Sequence, residues 1–523
     1  MPIKSNRLNI YLIKNNFRSY DSIVKLDTYD DIKKIDLGNI GRFYYIPSRK
    51  REPDWLRDFF NDNGDIDSRE FKISTVRALF LVRVRINDSN KFFAIPFGGG
   101  RYLMKNNCYE SRFGLMTTLN LLKNGTVRAL DKRTLSTNPK LSREQISVEG
   151  QVKDFGFNFD NEIIQSITGQ SNDREFGNTI TGKGAFSITA KVDLSNVKEF
   201  LERCYLTFKQ TNYRSDFDWI DKIKSISDST LVDELNEKLV KDINRSTNTV
   251  WISVPELIDS FEISGFNFSN LVNTGLLSEL TLNDYIASLD PNQTITLNDL
   301  FTNNISCWNN DMAIQYSWSV YECLNAEISL RNNKYCLINS QWYLINRAFA
   351  TRVNSDFSKI RPFQINLPDF ENIDTDEGAY NKRAANHLNA LCLDQELIFH
   401  GGGRSKIEFC DIITKSGELI HIKRKEVSAT LSHLFSQGHV AGELLLFDEV
   451  FRAKLRSILA HGYKSLSPSA KPDPSNYKII YAIISKNITQ QIPFFSKVTL
   501  NYHKKVLEGY GYTVYLNKIK NTQ

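Results

Sequence analysis

The residues best suited to chemistry collect near the C-terminal end of this 523-residue chain. All seven histidines lie between His387 and His503. Asp411 stands in one strand-like segment, and His421 and Lys423 stand in the next. Carboxylates hold hard divalent cations, and a lysine can orient a water or help to deprotonate it. This set of residues therefore predicts hydrolysis of a phosphodiester by a metal-activated water, with Mg²⁺ or Mn²⁺ as the cofactor.

Strand geometry predicts which of these side chains meet. Side chains two residues apart on a strand share a face, so His421 and Lys423 point the same way. If residues 414–417 close a regular hairpin, Asp411 lies opposite about His421. Asp411, His421 and Lys423 then converge on one face, whereas Glu418 lies on the other.

A hard cation at this position needs more negative charge than Asp411 supplies. The imidazole of His421 can bind a metal but brings no charge when neutral. Glu377, on a helix that precedes the strands, is the best candidate for a second carboxylate. Glu408 comes second, because strand alternation turns it away from Asp411 unless a bulge intervenes. The predicted metal ligands are Asp411, Glu377 and His421.

The elements that must position these residues follow from periodicity and turn signals. We expect helices over 377–391, 428–447, 449–459 and 494–508, and strands over 396–399, 407–413, 419–425, 477–484 and 512–516. Within the helix over 428–447, Thr430, His433 and Gln437 recur at spacings of three and four and share a face.

This order of elements resembles the core of the PD-(D/E)xK restriction-endonuclease-like nucleases. That family carries an Asp on the second core strand and then an acidic residue, any residue and a Lys on the third. Asp411 and Lys423 match the pattern, whereas His421 stands where the family has a carboxylate. The resemblance implies one or two Mg²⁺ ions and catalytic roles for Asp411, Lys423, His421 and Glu377. It further implies that Gln437 lends its amide to the site.

The whole chain also resembles a sporadically distributed bacterial protein family of about this length, for which no activity is assigned. The matching phrases are Tyr380-Asn381, Ile407-Glu-Phe-Cys-Asp411, Ile420-His-Ile-Lys423 and Leu431-Ser-His-Leu-Phe-Ser-Gln-Gly438. Sporadic distribution suggests a gene for defence against phage or mobile elements, which would suit a nuclease.

Charge is distributed unevenly along the chain. Residues 401–523 carry 18 Lys and Arg against 9 Asp and Glu, a net charge of +9 in a chain whose total is +6. A basic domain of this kind predicts a nucleic-acid partner, and the alternative that charge alone leaves open is a solvated basic surface. Of the nucleic acids, we expect DNA before RNA. The expected nucleic-acid contacts are Arg404, Arg424, Lys425 and His433, with Arg452, Lys454 and Arg456 as further phosphate contacts.

The complete pattern predicts an α+β protein of three domains. Residues 1–205 are β-rich, residues 206–365 combine a helical segment with a β-meander, and residues 366–523 form the restriction-endonuclease-like domain. The meander is expected over 326–345, where Asn-containing turns separate short apolar runs.

Several classes of protein are disfavoured. No apolar run approaches the roughly 20 residues of a membrane span, and the start lacks a hydrophobic signal core, so we expect a cytoplasmic protein with no membrane partner. Seven scattered cysteines without a C-x-x-C disfavour a disulfide framework and a structural zinc site. Three functions stay open: a metal-dependent nuclease, a catalytically degenerate nucleic-acid-binding or sensor protein, and a thiol or histidine hydrolase using, for example, Cys410. A homo-oligomer also stays open.

Overall fold

The computed structural model describes residues 4–523 except 48–49, 52–72, 75, 106, 137–138, 227, 246, 248, 257, 259–262, 270–274, 311–313, 401–405, 425–427 and 487–491. The chain forms two compact units. The first comprises residues 1–133, 141–157 and 164–220, and the second comprises 134–140, 158–163 and 221–523. The fold is α+β, as predicted, with a β-rich N-terminal region. The domain boundaries near 205 and 365 stay predictions.

The first unit is built on a ten-stranded sheet of order β2-β3-β6-β7-β1-β12-β11-β10-β8-β9, beside a two-stranded β4-β5 pair. The strands that lie wholly or mainly in it are β1 (Asn6–Leu12), β2 (Lys33–Asp36), β3 (Gly41–Ile46), β4 (Lys50–Arg51), β5 (Ile73–Ser74), β6 (Arg77–Ile86), β7 (Ser89–Gly98), β8 (Leu122–Thr134), β9 (Leu141–Gly150), β10 (Glu162–Ser171), β11 (Thr179–Gly182) and β12 (Phe186–Ala190). Its helices are α1 (Tyr20–Ile23), α2 (Phe113–Leu121), α3 (Val197–Lys209) and α4 (Arg214–Phe217), with 3₁₀ turns at Gly99–Leu103, Val152–Phe155, Arg174–Phe176 and Asp218–Lys222.

The longest hairpin of this sheet joins β6 to β7 through Asn87 and Asp88. Both residues have positive φ, 45° and 59°, and Ile86 pairs directly with Ser89. Two central residues in the left-handed region make a two-residue turn whose twist suits a hairpin, and Asn and Asp tolerate that region. The turn fixes the register of both strands over ten residues each.

The second unit holds two small antiparallel sheets, of order β13-β20-β19-β18-β14 and β15-β16-β17. Their strands are β13 (Ile223–Ser225), β14 (Val250–Ile252), β15 (Ile263–Ser269), β16 (Asn304–Asn309), β17 (Ile314–Ser319), β18 (Leu324–Leu330), β19 (Asn333–Ile338) and β20 (Gln341–Ile345). The associated helices are α5 (Ser229–Asn244), α6 (Leu282–Ala287), α7 (Leu297–Thr302), α8 (Val320–Cys323) and α9 (Arg347–Ser358). The predicted meander over 326–345 is confirmed by β18, β19 and β20, which pair in sequence.

The same unit contains a mixed five-stranded sheet of order β21-β24-β25-β26-β27 and a two-stranded β22-β23 pair. The strands are β21 (Leu391–Cys392), β22 (Leu397–Phe399), β23 (Lys406–Glu408), β24 (Ile412–Ile413), β25 (Glu418–Arg424), β26 (Lys478–Ser485) and β27 (Thr513–Lys520). The helices are α10 (Glu377–His387), α11 (Ser428–Phe447), α12 (Glu449–Ile458) and α13 (Phe494–Tyr510), with 3₁₀ turns at His461–Leu466 and Pro474–Asn476.

Helices cover both faces of the mixed sheet. On one face, Ile420 and Ile422 of β25 share a core with Tyr380 and Ala384 of α10. On the other face, Leu419 shares a larger core with side chains of α11, α12 and α13. β25 pairs in parallel with β26, and β26 pairs in parallel with β27. Parallel strands covered on both faces are apolar almost throughout, which is why β26 is buried from Ile479 to Ile484.

The predicted single strand over 407–413 is wrong. β23 ends at Glu408 and pairs with β22, whereas β24 begins at Ile412 and pairs with β25 and β21. Residues 409–411 pass from one sheet to the other and belong to neither strand. The hairpin register itself is the expected one, because Ile412 pairs with Ile420 and so places Asp411 opposite His421.

The close packing of α11 on β26 depends on Gly438. A methyl group at this position would come within 2.8 Å of three atoms of the Tyr481 phenol, and the Tyr481 hydroxyl donates to the Phe435 carbonyl at 2.9 Å. The helix therefore lies directly on β26, at a distance that only glycine permits.

Gly438→Ala should lower the free energy of unfolding by about 1–3 kcal/mol through overpacking, although alanine is the better helix former. Gly509→Ala is the matched control, because Gly509 lies in α13 with no atom within 4 Å of an added methyl. Chemical denaturation of both variants measures the difference. Equal stability of the two variants would contradict the packing argument.

Candidate metal centre

Three carboxylates meet where the chain passes between sheets. One oxygen of each of Asp394, Glu408 and Asp411 lies within 4.8 Å of the other two. Asp394 follows β21, Glu408 ends β23, and Asp411 ends the crossing over 409–411. The broken strand explains the meeting, because Glu408 and Asp411 are no longer bound by the alternation of one continuous strand.

Asp411 is the most buried member of the cluster, with 7% of its surface exposed. Its Oδ2 accepts the backbone N–H of Ile422 at 2.6 Å, and the Asn381 amide donates to its Oδ1 at 3.4 Å. Burial raises the pKa of Asp411 well above its ordinary value, and the charges of Glu408, Asp394 and Glu377 raise it further, against the bond from Ile422. The cluster is therefore short of positive charge.

Asn381 lies beneath this cluster on α10 and is fully buried. Its amide nitrogen faces Asp411, while its Oδ1 is buried with no hydrogen-bond partner among the described residues. A buried amide oxygen without a partner is costly. It is also a hard ligand atom of the kind that divalent cations accept.

Lys423 and Glu377 form an ion pair beside the carboxylates. The Lys423 ammonium lies 2.6 Å from Glu377 Oε1, and the backbone N–H of Arg424 donates to Glu377 Oε2 at 2.8 Å. Burial lowers the pKa of Lys423, but Glu377, Asp411 and Glu408 together outweigh burial and raise it overall. Lys423 therefore stays charged. Glu377, predicted as a metal ligand, lies outside the three-carboxylate cluster and acts here as the partner of Lys423.

Gln437 reaches the cluster from α11. Its amide donates to Glu408 Oε2 at 2.9 Å, and the backbone N–H of Gln395 donates to Glu408 Oε1 at 3.0 Å. Both oxygens of Glu408 are thus held in place. The resemblance to the nucleases placed Gln437 at the site, and the structure brings it there through Glu408.

His421, predicted as a metal ligand, is not brought to the cluster. It is 2% exposed, its ring lies 5.8 Å from that of Tyr481, and burial lowers its pKa to about 3. Its Nε2 has no hydrogen-bond partner among the described residues. The side chain lies against the core under α11, although its backbone lies opposite Asp411.

The residues expected to contact nucleic acid lie in different environments. His433 is exposed on α11. The guanidinium of Arg424 lies 5.0 Å from the ring centre of Phe370. Arg404 and Lys425 lie outside the described residues. Arg452 as a phosphate contact is wrong, because it is 5% exposed and donates to four backbone carbonyls, those of Leu445, Leu446, Pro468 and Ser469.

The histidines that crowd the C-terminal sequence do not form one centre. His400 bonds to Asp448 at 2.8 Å, and the Nδ1 atoms of His439 and His503 lie 2.8 Å apart. His387 bonds to Asn366 at 3.1 Å. The chemistry converges on carboxylates instead. Asp394 was missed from the sequence, because it lies in a turn with no strand pattern to place it.

Comparison with known families adds one assignment. The model of the family described as "Family of unknown function (DUF6119)" matches residues 8–520. The chain belongs to this family. No curated protein and no solved structure matches the chain. None of the described helices combines the length and the apolar character needed to cross a bilayer.

The raised pKa of Asp411 has a consequence for stability. An acid whose pKa is higher in the folded chain than in the unfolded chain loses stability as pH rises above the unfolded value of about 3.9. Asp411→Asn should therefore raise the melting temperature by a few degrees at pH 8 in EDTA, and by less at pH 5. Thermal unfolding at both pH values measures this, with Glu396→Gln, exposed in the same turn as Asp394, as the control. If the gain in melting temperature of Asp411→Asn over the wild type were smaller at pH 8 than at pH 5, this explanation would be contradicted.

Proposed function

We propose that this chain is a metal-dependent nuclease that cleaves phosphodiester bonds with Mg²⁺ or Mn²⁺. The observation that carries the proposal is the meeting of Asp394, Glu408 and Asp411 within 4.8 Å, beside the charged Lys423. Metal-assisted hydrolysis requires hard oxygen ligands for the metal ion and a nearby group that can hold the attacking water. The carboxylates supply the first, and the ammonium of Lys423 can supply the second.

The residues present fit a divalent cation. Oxygens bind Mg²⁺ at about 2.0–2.1 Å, so ligands on opposite sides of the ion lie about 4.2 Å apart. At most one pair among three ligands can lie on opposite sides, and adjacent ligands of an octahedral ion lie only about 3 Å apart, so the three carboxylate oxygens, within 4.8 Å of one another, would move inward on binding the ion. The unpartnered Oδ1 of Asn381 supplies a further hard atom nearby, and the mutual repulsion that raises the pKa of Asp411 is relieved by bound positive charge.

A bound cation would activate a water and offset charge on the phosphoryl oxygens. The chain's own residues supply the rest. Glu377 holds the Lys423 ammonium charged and oriented, so that Lys423 can position a water beside the cluster. Gln437 fixes Glu408, and the Ile422 N–H fixes Asp411. Preorganised groups of this kind need little rearrangement during reaction.

The nuclease class we propose is the PD-(D/E)xK type. Lys423 lies in β25 of the mixed sheet and Asp411 lies directly before the neighbouring strand β24, with a helix before and a helix after them. The chain departs from the type at His421. In our proposal Glu408 and Asp394 supply the negative charge that the carboxylate at that position would bring.

We further propose a nucleic-acid substrate, DNA before RNA, and a role in defence against phage or mobile elements. The net charge of +9 over 401–523 supports the first part. The exposed His433 and the half-buried Arg424 are the described residues proposed to contact it. The sporadic distribution of the resembling family supports the second part.

A thiol hydrolase is disfavoured, since Cys410 is fully buried and burial raises its pKa well above the ordinary value.

Metal binding is tested first. At a concentration of Mn²⁺ or Mg²⁺ 100 times the Kd, the cation should stabilise the wild-type chain by about 2.7 kcal/mol. Asp394→Asn and Glu408→Gln should lose most of this gain, whereas Glu396→Gln should keep it. Unfolding with and without the metal measures the gain. An equal gain in all four proteins would place the metal elsewhere.

Cleavage is tested with plasmid DNA, single-stranded DNA and total RNA, with and without the metal. Lys423→Gln should reduce cleavage at least ~100-fold, the range expected for loss of a general acid–base group, while metal stabilisation persists. Lys478→Gln is the control. Lys478 pairs with Glu418 at 2.9 Å and is 31% exposed, against 32% for Lys423.

Lys478 of β26 pairs with Glu418, which is five residues before Lys423 on β25. At about 3.3 Å per residue, Lys478 lies roughly 17 Å from Lys423 along the strands. Loss of cleavage in both lysine variants would indicate a structural effect. Metal binding without cleavage of any substrate would favour the alternative, a catalytically degenerate nucleic-acid-binding or sensor protein.

A further inference from the structure

A concave site lies in the first unit, far along the sequence from the carboxylates. It is a cleft of about 360 Å³ lined by residues 13–15, 17, 18, 83 and 89–92. Four of its ten lining residues are cations, Lys14, Arg18, Arg83 and Lys91, and none is a carboxylate. The volume lies within the range of small-molecule sites, about 300–1,000 Å³.

The sheet builds this cleft from three segments. The backbone N–H of Ile13, just after β1, donates to the Phe92 carbonyl of β7 at 2.9 Å. Arg83 of β6 pairs across the sheet with Phe92. The two-residue turn at Asn87-Asp88 fixes that register, so the cations come from neighbouring strands and from the segment that follows β1.

Within the described residues, none of the four cations of the cleft forms an ion pair with a carboxylate. Lys91 donates to the amide oxygen of Asn15 at 2.9 Å, and Lys14 donates to that of Asn107 at 2.5 Å. Both partners are neutral. Burial lowers the pKa of Lys14, with Glu110 partly offsetting this effect. By contrast Arg85, two residues along β6 from Arg83, pairs with Asp88 at 2.9 Å.

The remaining lining shows what kind of anion would fit. Phe17 offers a partly exposed ring, Phe92 lines the cleft with 7% of its surface exposed, and Asn15 and Asn90 offer amide groups. Clustered cations favour a ligand with several negative oxygens, and Arg matches phosphate geometry especially well. Aromatic rings and amides suit a flat heterocycle.

We infer that this cleft binds a phosphate-rich ligand of the nucleotide class, with its phosphates on Arg18, Arg83 and the two lysines. The same chemistry is present in a free nucleoside triphosphate and in the 5′-phosphate end of an oligonucleotide. The inference is independent of the carboxylate cluster, which lies in the other unit.

The test is calorimetric titration of the full chain in EDTA at low salt. The probes are ATP, inorganic pyrophosphate, and hexathymidylate with either a 5′-phosphate or a 5′-hydroxyl. Arg18→Gln with Arg83→Gln should weaken binding of ATP or of the 5′-phosphorylated strand roughly tenfold or more. Both arginines are exposed, so the double variant should keep its melting temperature.

Arg85→Gln is the matched control, since it removes one arginine from the same strand outside the cleft, and it should leave affinity unchanged. Asp411→Asn should also leave it unchanged, which separates this site from the carboxylate cluster. Tighter binding of ATP than of the 5′-phosphorylated strand identifies a free nucleotide, and the reverse identifies a strand end. Absence of binding by all probes, equal loss in the Arg85 variant, or pyrophosphate binding as tightly as ATP would overturn the inference.

Discussion

The candidate centre depends on one hydrogen bond, from the backbone N–H of Ile422 to the carboxylate of Asp411. The β24–β25 ladder has only two residue pairs and stops at Ile412 and Ile420. A regular continuation would pair the Ile422 N–H with the carbonyl of Cys410. The chain leaves the sheet there, and a buried N–H must find another acceptor. The Asp411 side chain supplies it, so the same carboxylate completes the sheet and faces Asp394 and Glu408.

The end of this ladder also explains the electrostatics around it. The carboxylate that replaces this main-chain acceptor is buried, and burial is the largest cause of its raised pKa. Glu408 lies next to Asp411 because β23, which Glu408 ends, pairs with β22 in a separate sheet. Lys423, which interacts electrostatically with Asp411 and Glu408, is already paired with Glu377. The negative charge is thus concentrated by the topology of the chain and left without a full counter-charge among the described residues.

Much of this could be predicted from local rules, and the exceptions have physical reasons. Period-two alternation and a short turn gave the register that sets Asp411 opposite His421, and a 3.6-residue period placed Gln437 correctly on α11. Alternation failed for Glu408, because it assumes one continuous strand and cannot foresee a change of sheet. Asp394 had no periodic neighbours at all. Arg452 looked like a surface cation, but the carbonyls it bonds come from separate segments that only the tertiary fold brings together.

The burial of His421 and the position of the carboxylate cluster are two parts of one arrangement. A charged residue at 421 would lie against Tyr481, in a core sealed by the close approach of Gly438, where an unpaired charge is very costly. A neutral imidazole can occupy that place, and its pKa of about 3 keeps it neutral. Because α11 packs closely on the sheet, the amide of Gln437 lies within hydrogen-bond distance of Glu408. Negative charge is therefore excluded from the interior of β25 and is supplied by Glu408 at the end of β23, by Asp411 in the crossing segment and by Asp394 in the turn after β21. A carboxylate introduced at 421 would compete with this packing instead of adding to the cluster.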